Sequence, residues 1–335
     1  MARIVFGAGT SHTPMLTLPA DEWIHRAAAD LANPELNLSD GRRVTYAELS
    51  SEVGDRYGEA ATAQVLQAKA QACQAALDRL ADELEAAAPD VVVIVGDDQQ
   101  ELFGPDNQPA FAVFFGEEVV TSNRFGAEEL PEWMRTMGRG YMMDEAHTLP
   151  GARSLALDVI QGLLDRDVDV AVCGLVPDPA KAAFGHAYGF VVQRLFRGRT
   201  IPLLPVLLNT YYPPNVPSAA RCHDIGRALR AALEASRADL RVAVIASGGL
   251  SHFVVDEALD RQVLDALARG AGDELRTIPR DALNSGSSEI LNWVLTAGAV
   301  EHLPLAWSEY QPIYRTAAGT GVGVAVAVWR DKSDD

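Results

Sequence analysis

Four segments of the chain contain side chains that can bind a metal ion or move a proton. They are Gly9-Thr10-Ser11-His12, Gly96-Asp97-Asp98-Gln99-Gln100-Glu101, Asn209-Thr210-Tyr211-Tyr212 and Ser247-Gly248-Gly249-Leu250-Ser251-His252. Imidazole and carboxylate groups are common ligands of divalent transition metals, and imidazole also exchanges its proton near neutral pH. The types of these residues therefore indicate metal or acid–base chemistry.

Two further side chains of the same kind lie elsewhere in the chain. His186 is flanked by small residues, and Glu289 lies just inside a predicted helix start. Each has an ordinary structural interpretation, because a buried histidine can be satisfied by the core and a glutamate can compensate the helix dipole. Taken alone, His12 is a polar loop residue and Asp97-Asp98 is an acidic helix cap. Residue type alone thus leaves these roles open.

Several familiar catalytic motifs are incomplete in this sequence. Gly7-x-Gly9 lacks the third glycine of a dinucleotide-binding loop, and no P-loop lysine follows it. Ser251-His252 lacks the G-x-S-x-G nucleophile elbow of serine hydrolases. The cysteines, Cys73, Cys173 and Cys222, are widely spaced without a C-x-x-C pair, which argues against a disulfide framework and a cysteine zinc site.

Short β-branched runs alternate with helix-forming stretches along the chain. The predicted strands are Arg3–Phe6, Val91–Val95, Val168–Val172, Ile201–Leu208, Val242–Ile245 and Val322–Trp329. The predicted helices are Ala60–Ala88, Gly151–Leu164, Ser218–Ala235 and Ser288–Thr296. Continuous apolar strands separated by helices are typical of a sheet that is covered on both faces. We therefore predict an α/β fold, a three-layer αβα sandwich with a central mixed or mainly parallel sheet.

This fold predicts that the chemically competent residues meet. Ligands of open α/β sheets lie beyond the carboxyl ends of the strands. The four polar segments follow the predicted strands that begin at Arg3, Val91, Ile201 and Val242. We therefore expect these segments to converge on one cleft.

No internal repeat, heptad run or Gly/Ser linker divides the chain. We therefore predict a single catalytic domain over residues 1–330, with insertions at about 31–58 and 104–150. These two segments are turn-rich or irregular in composition, which is typical of loops that cover a site. Residues 331–335 are predicted to form an acidic tail.

The composition limits the kinds of binding partner and the cellular location that we expect for the protein. The chain has 335 residues, with 46 acidic and 28 basic side chains and a net charge of −18. Such a surface repels phosphate backbones and anionic lipids, so we expect neither a nucleic-acid nor a membrane partner. The beginning of the chain lacks the apolar region of a secretory signal, and no apolar run approaches the ~20 residues of a membrane helix. These features predict a cytoplasmic protein.

The polar motifs occur in an order that is found in one enzyme family. The motifs are Thr-Ser-His12-Thr-Pro, Gly-Asp-Asp-Gln after a hydrophobic strand, Gly-His186, Ser-Gly-Gly-Leu-Ser-His252, and Glu289 before Asn-Trp. In this order the chain resembles the catalytic subunit of class III extradiol ring-cleavage dioxygenases, the group that includes protocatechuate 4,5-dioxygenase and gallate dioxygenase. The resemblance extends from residue 3 to about residue 300.

The resemblance implies a function and a cofactor. It implies a non-haem Fe(II) held by two histidines and a glutamate, which cleaves the ring of a catechol-like or hydroxylated aromatic acid with O2. Matched by motif, His12 is a histidine ligand and Glu289 is the carboxylate ligand. His252 is the acid/base histidine, and His186 is a second pocket histidine that contacts the substrate oxygen or the dioxygen. The resemblance also implies a homo-oligomer and leaves room for a small second subunit.

One position departs from the family pattern. Where the family has Asn-Asp-His, with the histidine as a ligand, this chain has Asp97-Asp98-Gln99. Gln99 is therefore the expected third ligand, and Asp98 or Glu101 is the alternative. An amide oxygen is a harder and generally weaker donor for Fe(II) than imidazole. The departure motivates two other functions, a non-catalytic metal-binding or scaffold homologue of the same fold and a Zn-dependent hydrolase on that scaffold.

An aromatic acid as substrate would need a basic side chain placed against the average charge of the protein. Three arginines, Arg124, Arg135 and Arg139, lie in the predicted insertion at 104–150, and the sequence does not select among them. The same segment carries phenylalanine and methionine side chains that can line an aromatic pocket or belong to the core.

Overall fold

In a computed structural model of the chain, thirteen strands and ten α-helices form over residues 1–331, the part of the chain that the structure describes. Residues 332–335 of the predicted acidic tail lie outside the described residues. The strands are β1 Arg3–Thr10, β2 Leu36–Asn37, β3 Arg43–Val44, β4 Val91–Asp97, β5 Phe111–Phe114, β6 Glu118–Val120, β7 Thr148–Pro150, β8 Ala171–Cys173, β9 Leu203–Leu208, β10 Arg241–Ser247, β11 His252–Val254, β12 Leu305–Tyr314 and β13 Thr320–Trp329. The helices are α1 Ile24–Leu31, α2 Tyr46–Val53, α3 Ala63–Ala87, α4 Glu132–Gly140, α5 Arg153–Leu164, α6 His186–Leu195, α7 Ala219–Ala235, α8 Glu257–Arg269, α9 Gly272–Arg276 and α10 Ile290–Val300.

The central sheet is mixed, with a parallel centre. Nine strands form it in the order β11-β13-β1-β10-β4-β9-β5-β8, and β12 pairs with β13. The four central strands β1, β10, β4 and β9 run parallel to one another. Strand β13 is antiparallel to its three neighbours, and β5 is antiparallel to β9 and parallel to β8. This topology confirms the predicted α/β fold with a mixed sheet.

Both faces of the sheet are buried, because the side chains of each central strand alternate between two cores. In β4, Val91, Val93 and Val95 belong to one core, whereas Val92 and Ile94 belong to the other. The first core includes side chains of α5, α7, α8 and α10, and the second includes side chains of α3 and α6. Helices thus cover both faces, and the three-layer prediction is confirmed. Among the described residues, no helix is long and apolar enough to cross a membrane.

The two segments predicted as insertions differ in structure. In 31–58, strands β2 and β3 form a hairpin outside the main sheet, and α2 follows it. In 104–150, strands β6 and β7 form a separate two-stranded sheet beside α4, but β5 belongs to the central sheet. The expectation that the whole of 104–150 leaves the sheet is therefore wrong at β5. A buried run of only four residues gives too little periodicity to be recognised from the sequence.

The glycines of Gly7-x-Gly9 bring α10 close to the end of β1. A Cβ atom at Gly9 would overlap the indole ring of Trp293, and one at Gly7 would lie 2.8 Å from Val300. The buried Trp293 also donates a hydrogen bond from Nε1 to the carbonyl of Gly248, 2.7 Å away. This close packing fixes the start of α10, and with it Glu289, beside the carboxyl ends of β1 and β10.

Candidate metal centre

Side chains from five elements meet at the carboxyl ends of the central strands. His12 follows β1, Asp97 ends β4 and Ser247 ends β10. His186 begins α6, and Glu289 directly precedes α10. All of these residues except His186 are buried, and His186 is nearly so. A cavity of about 220 Å³ opens onto the group from outside.

The distances within the group suit a single cation. His12 Nε2 lies 3.2 Å from Glu289 Oε2 and 3.8 Å from Asp97 Oδ1. Asp97 Oδ2 lies 3.9 Å from His186 Nε2. One ligand atom each from His12, Asp97 and His186 all lie within 4.8 Å of one another. Imidazole nitrogens and carboxylate oxygens at this spacing are the donor set of Fe(II), Zn or Mn sites.

The hydrogen bonds of His12 direct its second nitrogen into the group. Ser247 Oγ donates to the carbonyl of Ala187, 2.6 Å away, and accepts from His12 Nδ1, 2.9 Å away. The proton of the neutral ring is therefore on Nδ1, and Nε2 carries a lone pair. Nε2 is buried and has no hydrogen-bond partner among the described residues. A lone pair that faces two carboxylates is the arrangement that a bound cation satisfies.

His186 is oriented by a carboxylate. Its Nδ1 donates to Glu101 Oε1 at 2.8 Å, and the same oxygen accepts from the backbone N–H of His186 at 3.2 Å. This pairing turns Nε2 towards Asp97 and is typical of histidines that ligate metals. Burial alone would lower the pKa of His186, but the charges of Glu101, Asp97 and Glu289 raise it to about 10.

Glu289 is held in its ionised form by its surroundings. The backbone N–H of Gly249 donates to its Oε2 at 2.6 Å, and the hydroxyl of Tyr211 donates to its Oε1 at 3.0 Å. Burial opposes ionisation, but His252 and His12 outweigh it and hold the pKa of Glu289 well below its usual value. A carboxylate that stays ionised in a buried pocket is suited to bind a cation.

The pKa of Asp97 is shifted in the opposite direction to that of Glu289. Its side chain is completely buried, and burial together with the nearby charge of Glu289 raises its pKa. Asn292 Nδ2 donates to its Oδ1 at 3.2 Å. Two carboxylates in one buried pocket repel each other, and a divalent cation between them would balance both charges.

His252 lies at the edge of the group. Its Nδ1 donates to the carbonyl of Leu250 at 2.8 Å, and its Nε2 lies 3.3 Å from Glu289 Oε1. Burial alone would lower its pKa, but Glu289 raises it. The ring also borders the cavity, so its Nε2 can reach both the carboxylate and a molecule in the cavity.

Of the three candidates for the third ligand, Gln99 faces the group, Asp98 does not, and Glu101 pairs with His186. Gln99 Nε2 lies 3.0 Å from Asp97 Oδ2 and 3.4 Å from Glu289 Oε1 and from His186 Nε2. The carboxylate of Asp98 instead accepts hydrogen bonds from three backbone N–H groups of the following turn. This geometry favours Gln99 over Asp98 as the third ligand.

The structure brings together the four polar segments that the sequence predicts to converge. Roles for Asp97, Ser247 and Tyr211 were not predicted from the sequence, and Glu101 was considered only as an alternative metal ligand. Asp97 could have been found from its place at the end of a buried strand, where an unpaired carboxylate is costly. The contact between Glu101 and His186 joins a loop to a distant helix, and no local pattern indicates it.

Replacing Glu101 with glutamine should lower the pKa of His186, because the charge of the Glu101 carboxylate and its hydrogen bond to Nδ1 raise that pKa. The measurement is an NMR pH titration of the histidine ring signals, with Glu118→Gln, an exposed glutamate of β6, as the matched control. An unchanged pKa of His186 in Glu101→Gln would contradict the control of this ring by Glu101.

Comparison with known proteins identifies relatives of one kind. A family model described as "Catalytic LigB subunit of aromatic ring-opening dioxygenase" matches residues 60–325. A 2,3-dihydroxyphenylpropionate/2,3-dihydroxicinnamic acid 1,2-dioxygenase of Comamonas testosteroni is 26% identical over 185 residues, which are 53% of this chain and 49% of that protein. A gallate dioxygenase of Pseudomonas putida is 32% identical over 113 residues, which are 30% of this chain and 32% of that protein. The chain thus spans half or less of the length of these relatives.

A solved structure of an uncharacterized protein from Escherichia coli K12 is similar with a TM-score of 0.40 and 13% sequence identity. The similarity covers 75% of this chain and 91% of that one. It is too low to bear on the fold or on the site.

Proposed function

The chain belongs to the family of catalytic LigB subunits of aromatic ring-opening dioxygenases, and from this we propose that it is an extradiol dioxygenase. It opens the ring of a catechol-like or hydroxylated aromatic acid substrate with O2 and uses Fe(II). The observation that carries the proposal is the approach of His12 Nε2 to Glu289 Oε2, 3.2 Å apart, with the imidazoles of His186 and His252 beside them.

The residues present fit a divalent iron. His12 and Glu289 are the proposed ligands, and Gln99 is the proposed third ligand through its amide oxygen after rotation of the side-chain amide. Asp97 supplies a second negative charge, so that two buried carboxylates balance the charge of the ion. Iron held in this way supplies the Lewis acidity and the oxygen chemistry of ring cleavage.

His252 is the proposed base for the substrate. Its Nδ1–H is held by the carbonyl of Leu250, so Nε2 is the atom that accepts a proton from a substrate hydroxyl. The carboxylate of Glu289 raises the pKa of His252, and a cation bound to that carboxylate offsets the effect. Imidazole, whose ordinary pKa lies near neutral pH, is the side chain best suited to act as such a base.

His186 and the cavity wall complete the proposed site. The carboxylate of Glu101 raises the pKa of His186, so this ring holds a proton that it can donate to an oxygen atom in the pocket. Tyr141, Met137 and Phe253 line the cavity and exclude water from an aromatic ring. The hydroxyl of Tyr141 donates to the carbonyl of His12 at 2.6 Å, which fixes the wall against the proposed metal ligand.

The direct test is oxygen uptake by protein that is purified anaerobically and loaded with Fe(II). We expect equimolar consumption of O2 and formation of a ring-opened product, seen by its absorbance, with at least one compound from a panel of catechol, 3,4-dihydroxybenzoate, gallate and 2,3-dihydroxyphenylpropionate. Iron binding without oxygen uptake for any of these diols would favour a non-catalytic metal-binding protein. Bound zinc with ester or amide turnover would favour a hydrolase.

A further inference from the structure

The cavity has arginine side chains in its wall, although the protein as a whole is acidic. Three arginines line it, Arg26 on α1, Arg124 and Arg315, which directly follows β12. The chain has a net charge of −18, so three arginines at one cavity are not expected from its average charge. The question is which of them is available to a molecule in the cavity.

Arg315 is not available, because an internal carboxylate already pairs with it. Its Nε and Nη2 donate to the two oxygens of Asp30 at 2.7 and 2.9 Å, and both side chains are buried. Such a bidentate pair is geometrically specific and leaves little charge uncompensated. Asp30 lies on α1 one helical turn after Arg26 and its charge acts on Arg26, but both of its oxygens accept hydrogen bonds from Arg315.

Arg26 is left without a partner. Its Nε is buried and has no hydrogen bond, and no carboxylate pairs with its guanidinium among residues 1–331. Burial and the charge of Arg315 lower the pKa of Arg26. Keeping a partly buried guanidinium unpaired is costly unless a ligand supplies the missing anion.

The arginines of the predicted insertion are less suitable. Arg135 and Arg139 both pair with Glu132 on the outer side of α4. Arg124 lines the cavity but is exposed, and its guanidinium lies 5.9 Å from the centre of the Phe125 ring. The structure thus singles out a residue that the sequence analysis did not consider.

We propose that Arg26 binds the carboxylate of the substrate, so that the preferred substrate is an aromatic acid with its diol at the metal centre and its anionic group at α1. This inference rests on the proposed function for the diol end. The apolar side chains of Met137 and Phe253 line the same cavity and suit the ring of such a molecule. The cavity of about 220 Å³ is smaller than the roughly 300–1,000 Å³ of pockets for drug-sized ligands, which favours a single-ring acid.

The test compares an acid with its uncharged analogue in Fe(II)-loaded protein under anaerobic conditions. Calorimetric titration measures the binding of 3,4-dihydroxybenzoate and of catechol to the wild type, Arg26→Gln, Arg26→Lys and the surface control Arg135→Gln. We expect Arg26→Gln to weaken binding of the acid about 10- to 100-fold and to change binding of catechol less than twofold, because a hydrogen bond to a charged group is lost only with the acid. Arg26→Lys should recover part of the loss, and Arg135→Gln should bind both ligands as the wild type does.

Each other outcome overturns the inference. An equal loss for the acid and for catechol would show that Arg26 only maintains the shape of the pocket. Unchanged binding of the acid to Arg26→Gln would show that the carboxylate lies elsewhere. The result is independent of turnover: if the acid binds through Arg26 and no diol is opened, the proposed reaction fails while the anion site stands. If diols are opened but binding of the acid does not depend on Arg26, the proposed reaction stands and the anion site at Arg26 fails.

Discussion

Glu289→Gln should lose both stable metal binding and oxygen uptake. The change removes the negative charge that faces His12 while it keeps the size of the side chain and an oxygen for the N–H of Gly249. Mutation of residues that only contact the metal ligands lowers metal affinity about 10- to 100-fold. Loss of a carboxylate that binds the metal directly should therefore lower the affinity at least about 100-fold. Metal content after dialysis and an anaerobic Fe(II) titration measure the effect, with oxygen uptake on the same samples.

Glu118→Gln is the matched control for this change. Glu118 is exposed on β6 and forms no contact with the metal centre. This variant should retain metal and activity, and both variants should melt cooperatively by circular dichroism. Full retention of iron in Glu289→Gln would show that the metal is held by a different set of side chains.

His252→Ala should separate chemistry from metal binding. If His252 is the base, the variant keeps its iron and loses about 10²- to 10⁴-fold in kcat, because that is the usual contribution of a positioned acid–base group. The structure supports this separation, since His252 contacts one oxygen of Glu289, whereas His12 faces the other. The measurement is kcat and KM for the best diol, together with the iron content of the same preparation.

His147→Gln is the control for the loss of a histidine, because His147 pairs with Asp144 and does not line the cavity. Its kinetics should equal those of the wild type. Unchanged kcat in His252→Ala would exclude a proton role for this residue. Loss of iron together with activity would place His252 among the metal ligands.

The parallel centre of the fold could be predicted because its strands are continuous apolar runs. In β4 and β10 nearly every residue is buried, since helices cover both faces of the sheet. Strand β12 was missed for the opposite reason. Only two of its ten residues are buried, and it contains Pro312, which is typical of an edge strand and weakens a sequence-based prediction.

The site could be predicted as far as the strand ends determine it. His12 and His252 follow β1 and β10, and the rule that ligands lie at the carboxyl ends of strands places them together. Whether Asp97 or Asp98 faces the group, a point that was not predicted, depends on the direction of each side chain where β4 ends, and neighbouring residues point in opposite directions there. The sequence alone could not resolve that difference of one residue.

Partners that come from distant elements could not be predicted either. Arg26 lies on a short helix that the sequence analysis did not predict, and its importance follows from the pairing of Asp30 with Arg315. The distance along the chain between the members of this pair leaves no local signal. The same holds for Glu101, whose carboxylate orients the ring of His186 only in the folded protein.

A crystal of the Fe(II)-loaded protein would show whether His12 and Glu289 bind one iron ion. Anomalous scattering measured on both sides of the iron absorption edge locates the ion. We expect a single iron peak in contact with His12 Nε2 and a Glu289 carboxylate oxygen, at the roughly 2.0–2.2 Å typical of metal–nitrogen and metal–oxygen bonds. Iron bound elsewhere, or His12 and Glu289 paired with each other without iron between them, would show that these two residues do not form the metal site.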